Sequence, residues 1–162
     1  MQHNSAMDAM YQEIILDHAK LRSGSDLSAE AAAENSYTPG CGQVHQLNPV
    51  CGDEITLRLS VDGNTVESIH WLGEGCSISM ASASILAELA TGMPVQELRD
   101  TIDQFREVMR SRGALAADEE VLGDAAALGG VSRFPARVKC AMLAWVAAEG
   151  ALAQASTPAS AD

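Results

Sequence analysis

The chain has 162 residues, enough for one compact domain with a real core, so folding need not depend on disulfides or metal. Its hydrophobic fraction of 47% is ordinary for a globular protein, yet it is aromatic-poor, with two each of Trp, Tyr and Phe, which favours closely packed helices. A formal net charge of -12 repels phosphate backbones and argues against a nucleic-acid partner.

Met7 to Leu21 spaces Met7, Met10, Tyr11, Ile14 and Ile15 as one helical face, with Asn4 or Ser5 as its cap. Nothing in Met1 to Met10 forms a basic and then apolar leader, and no run reaches about 18 apolar residues. The expectation is a cytoplasmic protein with no membrane partner. Ser23 to Ser36 is polar and Ala-rich and reads as a loop with one weak helical turn. A short strand is expected around Val44 to Leu47. The clearest strand follows, with Ile55, Leu57, Leu59 and Val61 alternating with polar residues. Asp62-Gly63 signals a hairpin into a return strand from Thr65 to Leu72.

Gly73-Glu74-Gly75 breaks the pattern, and Ser77 to Thr91 reads as a helix with Ile78, Ile85, Leu86 and Leu89 inward, closed by Gly92 and Pro94. A second helix spans Val95 to Arg112 with Gly113 as its stop. Ala114 to Gly130 is expected to be irregular, with one short turn after Asp124. The last helix starts near Pro135, a good first-turn residue, and ends near Ala155. The order gives an α+β fold, with a small antiparallel three-stranded sheet and helices packed on one face. One domain is expected over residues 1–155, with residues 156–162 as a disordered tail.

Four Cys in a chain of this kind read better as thiolate ligands or nucleophiles than as a disulfide framework. Cys51-Gly52-Asp53 occupies a turn before the best strand, where the glycine lets the backbone bend and both side chains point one way. Cys76 precedes a helix, where unpaired N–H groups and the dipole lower a thiol pKa. Cys140 lies in the early turns of the last helix. Three thiolates and a carboxylate suit tetrahedral zinc, but the spacing is not that of paired C-x2-C motifs. Spacing alone therefore leaves open a metal centre or ordinary space-filling cysteines.

Around a divalent ion those four ligands would carry an excess of two negative charges. Arg137, three residues before Cys140, shares its helix face and either offsets that charge or is a plain surface cation. Cys41, His45, His18 and His70 are read as structural or incidental, with His18 on an exposed helix face and His70 at a strand end. Ser77, Ser79, Ser82 and Ser84 read as small residues for close helix packing. The chain lacks a phosphate-binding Gly/Lys loop and a Gly-x-Ser-x-Gly elbow.

Three segments resemble one family: Asn48-Pro49-Val50-Cys51-Gly52-Asp53; Gly73-Glu74-Gly75-Cys76-Ser77-Ile78-Ser79-Met80-Ala81-Ser82-Ala83-Ser84; and Arg133-Phe134-Pro135-Ala136-Arg137-Val138-Lys139-Cys140. They are similar to the SufU-like, zinc-dependent branch of the IscU/NifU-like iron–sulfur assembly proteins, collinearly from about Met7 to Ala153. The resemblance implies that Cys51, Asp53, Cys76 and Cys140 are zinc ligands and that Cys51 accepts sulfur from a SufS-type cysteine desulfurase. It implies a downstream iron–sulfur scaffold as recipient, and it places Arg137 near the metal. Lys139 stands where scaffold-type relatives carry His, and Ala114 to Gly130 looks like the insertion of the sulfur-transfer branch. Two alternatives stand beside this. One is an IscU-type scaffold assembling a [2Fe–2S] cluster on the same ligands. The other is a non-catalytic zinc-bound adaptor. Where relatives often carry Asn-Pro after the first helix, this chain has Leu21-Arg22-Ser23-Gly24, which bears on how the N-terminal segment docks.

Overall fold

Alternation at Ile55, Leu57 and Leu59 buries one face of the central strand, and the rest of the fold is arranged around that face. In the computed structural model, which describes residues 5–34 and 38–156, the elements run α1 (Ser5–Leu21), α2 (Ala29–Ala33), β1 (Cys41–Asn48), β2 (Asp53–Asp62) and β3 (Thr65–Glu74). Helices α3 (Ser77–Ala90), α4 (Val95–Arg110) and α5 (Glu119–Leu122) come next, then a 3-10 segment (Gly123–Arg133) and α6 (Pro135–Ala155). The sheet is antiparallel in the order β1-β2-β3, as the α+β reading expects. Helices α3 and α6 cover its apolar face. The opposite face carries Gln43 and Arg58, which hold the carbonyls of Ala32 and Ala31 in α2.

Several boundaries differ from the sequence expectation. Strand β1 is eight residues long, because its backbone pairs with β2 all the way from Cys41↔Ser60 to Asn48↔Asp53. Gly73 does not interrupt β3: it pairs with Ile55, and the strand continues to Glu74. The weak turn in the Ser23 to Ser36 stretch is α2, capped by Ser28, whose Oγ accepts from the Ala31 N–H. Helix α4 ends at Arg110, short of Arg112. The stretch expected to be irregular, Ala114 to Gly130, contains α5 and most of the 3-10 segment. Its Leu122, Ala125, Ala126 and Leu128 are all in the core, and that burial is what orders an otherwise weak Ala/Gly sequence. Asn4, residues 35–37 and the tail beyond Ser156 lie outside the described residues.

The N-terminal segment docks through Arg22, which sits at φ 50°. Its guanidinium donates to the Gly73 carbonyl at 3.1 Å and lies 5.0 Å from the Trp71 ring centroid. Helix α1 packs on α3 through His18. That histidine is buried, contrary to the exposed position expected, because its ring bridges Ser84 Oγ (2.9 Å) and Asp124 Oδ2 (3.0 Å). His70 lies inside β3, not at its end, and reaches Asp26 at 2.6 Å.

Helix α6 runs directly against β1. A Cβ at Gly42 would sit 1.9 Å from the Ala151 carbonyl oxygen, so only glycine permits the approach. The C-terminal half of α6 is thereby fixed at the start of β1, and its N-terminal half reaches the far end, where β1 turns into β2.

Candidate metal centre

The β1–β2 turn is closed by the Gly52 N–H donating to the Asn48 carbonyl at 2.8 Å, which brings Cys51 to the end of the sheet. Asp53 is the first residue of β2 and points to the core side, only 2% exposed. Cys76 is the N-cap residue of α3, as its position before the helix suggests, and makes no capping bond of its own. Cys140 is in the second turn of α6, also 2% exposed.

These elements converge. Cys51, Asp53 and Cys140 each present a ligand atom within 4.8 Å of the others. Cys140 Sγ is 3.8 Å from Cys51 Sγ. Two sulfurs bound to one tetrahedral ion at about 2.3 Å stand about 3.8 Å apart, so this pair already has the spacing of one tetrahedral edge. Cys76 stands beside the trio, with its Sγ 3.8 Å from Asp53 Oδ2. Two thiols and a carboxylate are thus within reach of one ion, with a third thiol beside them. Burial grades across it: Cys51 is exposed, Cys76 intermediate and Cys140 buried.

The carboxylate is held more firmly than the sequence reading anticipated. Ser79 Oγ donates to Asp53 Oδ2 at 2.6 Å, and the Cys76 N–H donates to Oδ1 at 3.2 Å. A Cβ at Gly75 would come within 2.8 Å of Oδ1, so the glycine makes room for the carboxylate. Burial opposes the Asp53 charge, but hydrogen bonds from Ser79, Cys140 and Cys76 outweigh it and hold the carboxyl below its ordinary range. Cys140 moves the other way. Burial, then its contacts with Asp53, Cys76 and Cys51, pushes its thiol far above the ordinary value. A divalent ion is the kind of partner that would reverse this, by replacing the proton with a positive charge.

Sequence reasoning missed Ser79 and its serine neighbours as specific donors. Ser82 Oγ donates to the Ala141 carbonyl at 2.6 Å and accepts from Trp145 Nε1 at 2.8 Å. Helical spacing does place Ser79 three residues after Cys76 on one face, a signal available in the sequence. Arg137 is exposed on the first turn of α6; its N–H donates to the Phe134 carbonyl at 2.8 Å, and its guanidinium has no hydrogen-bond or ion-pair partner among the described residues. Cys41 and His45 lie outside the cluster: His45 pairs with Glu54 at 3.1 Å on the outer face of the sheet.

A small α+β domain that gathers thiols and a carboxylate at one end of its sheet belongs to the metal- and sulfur-handling proteins by its chemistry. The chain is a member of the NifU-like N-terminal domain family, whose model matches residues 10–153. It is 37% identical over 154 residues to the zinc-dependent sulfurtransferase SufU of Bacillus subtilis (strain 168), covering 95% of this chain and 97% of that one. It is 36% identical over 152 residues to the iron–sulfur cluster assembly scaffold protein IscU of Thermotoga maritima, covering 92% and 96%. Among solved structures, one described as an iron–sulfur cluster assembly scaffold for the SUF system of Fervidobacterium islandicum AW-1 superposes with a TM-score of 0.73 at 31% identity. The match covers 89% of this chain and 97% of that one. Among the described residues, no helix is long and apolar enough to cross a membrane.

Proposed function

We propose that this protein is a zinc-dependent sulfur carrier for iron–sulfur cluster assembly, in which Cys51, Asp53, Cys76 and Cys140 hold the ion and Cys51 accepts sulfur from a SufS-type cysteine desulfurase. The observation that carries the reading is the contrast inside the cluster. Cys51 is exposed on a turn, while Cys140 and Asp53 behind it are buried and hydrogen-bonded.

A bound zinc ion would keep the cluster's thiols deprotonated at neutral pH. Cys51 contributes the nucleophile, because a thiolate and not a thiol attacks sulfur. Its Sγ forms a bond to the outer sulfur of the desulfurase's persulfide. The S–S bond to the desulfurase cysteine breaks, and that cysteine leaves as a thiolate. Cys51 then carries the persulfide to a downstream iron–sulfur scaffold. Asp53, fixed by Ser79 and the Cys76 N–H, supplies a harder oxygen ligand beside softer sulfurs. Arg137, exposed and one turn before Cys140, would offset the excess negative charge of the centre.

The test is sulfide release by the desulfurase with this protein added. Cys51→Ala is expected to abolish the stimulation, and full stimulation by that variant would remove the acceptor role. Binding of the desulfurase without any Cys51-dependent rate gain would leave a zinc-bound adaptor instead. A second reading, a scaffold for a [2Fe–2S] cluster, draws support from the comparable identity to proteins named IscU. Lys139, in place of the His expected of scaffold-type chains, weighs against it. Iron, sulfide and a visible spectrum after anaerobic purification would favour it.

A further inference from the structure

Asn48 closes β1 and is only 5% exposed. Its Oδ1 accepts from the Val50 N–H at 3.2 Å. That contact fixes the orientation of the amide, because a backbone N–H needs an acceptor and so the oxygen must face the turn. Nδ2 then points away from the turn, and among the described residues it is the buried side-chain polar atom with no hydrogen-bond partner. Buried amide donors are nearly always satisfied, so an idle one needs an explanation.

Its surroundings supply one. Asn48 is the direct cross-strand partner of Asp53, and both side chains are buried on the core side of the sheet. Cross-strand neighbours have Cβ atoms about 5 Å apart, so the amide lies beside the metal centre. It is also the residue whose carbonyl closes the turn that carries Cys51. The Asp53 oxygens already accept from Ser79 Oγ and the Cys76 N–H. The cysteine sulfurs also lie at this end of the sheet, that of Cys76 beside Asp53 and those of Cys51, on the turn that Asn48 closes, and Cys140 3.8 Å apart. A neutral thiol sulfur is a weak acceptor, whereas a thiolate is a strong one.

We infer that Asn48 is a positioning residue of the centre, whose Nδ2–H donates to a thiolate of the Cys51–Cys140 pair. The bond fixes the direction of the sulfur that it reaches. This rests on the metal-binding reading proposed above.

The experiment compares the full chain with Asn48→Leu and Asn48→Ala, which both remove the donor but pack differently. Zinc affinity is measured by competition with a chromophoric chelator, and the thiolate-to-metal charge-transfer band is recorded with cobalt in place of zinc. Loss of the donor is expected to weaken zinc binding about 10- to 100-fold. It should also shift the band to lower energy, since an N–H donor stabilises the sulfur electrons from which the transition starts. A variant that melts earlier yet keeps the parent's band energy and zinc affinity would overturn the inference and leave Asn48 a packing residue. If the parent chain itself bound neither metal, the proposed function would fall together with this inference. A parent that binds and variants that bind equally well would remove only the role of Asn48.

Discussion

Ser79→Ala removes the donor nearest to the Asp53 carboxylate without disturbing the backbone of α3. The lost bond is short, at 2.6 Å, and both residues are 2% exposed, so water cannot easily replace the hydroxyl. A hydrogen bond to a charged group contributes about 1.5–3 kcal/mol. Alanine returns about 0.5 kcal/mol through its higher helix propensity. The net loss in the metal-free chain is therefore about 1–2.5 kcal/mol. In a protein of this size each kcal/mol moves the midpoint by about 2–4 °C, which predicts a fall of about 2–10 °C in calorimetry. The Cys76 N–H keeps Oδ1 in place, and Oδ2 is left with only the weaker thiol contact of Cys76 at 3.8 Å. Zinc affinity, read by chelator competition, is expected to fall about 10- to 100-fold. A Ser79→Ala protein that melts within about 1 °C of the parent and binds zinc equally well would refute the claim that Ser79 holds the carboxylate in place.

Two further perturbations test other parts of the structure. Gly42→Ala forces a methyl group against the Ala151 carbonyl, so β1 and α6 must separate. Overpacking against backbone costs about 3 kcal/mol or more, which should lower the midpoint by at least about 6 °C and weaken metal binding by drawing Cys140 away from Cys51. A melt within about 2 °C of the parent would show that the contact relaxes freely. At the surface, the Tyr11 hydroxyl donates to Glu119, and this bond first of all, then burial and the nearby charge, raises the phenol above its ordinary value. Since the folded value is the higher one, the pairing stabilises below the unfolded Tyr value and is lost as pH rises through the folded one. Glu119→Ala should return the Tyr11 ionisation toward the ordinary value in an ultraviolet titration, read in a Tyr37→Phe background. An unmoved midpoint would remove the pairing.

Much of the candidate site was legible because it rests on local chemistry. Cys51-Gly52-Asp53 advertises a turn ahead of a strand, and Cys76 stands where a helix must begin after two glycines. Pro135 fixes the start of the helix that carries Cys140. Each of these signals is contained within a few residues. The donors that serve the ligands were not legible in the same way. A serine in an Ala/Ser-rich helix and an asparagine before a proline have common structural uses, and nothing beside them in the chain says which one applies.

The sequence by itself determined the alternating faces of the strands and the principal helices. Alternation of period two, helical spacing and the turn residues act over short range and leave a visible pattern. Only the tertiary structure decided that Cys51 and Cys140, 89 residues apart, face each other, and that Ser79 reaches back 26 residues to Asp53. It also buried His18 against Ser84, 66 residues away, and ordered the Ala/Gly-rich stretch after α4 into the core. These outcomes depend on how closely β1 and α6 approach, which Gly42 permits and the whole packed core enforces. Such a contact is decided by the shape of both partners together, so neither segment carries it alone.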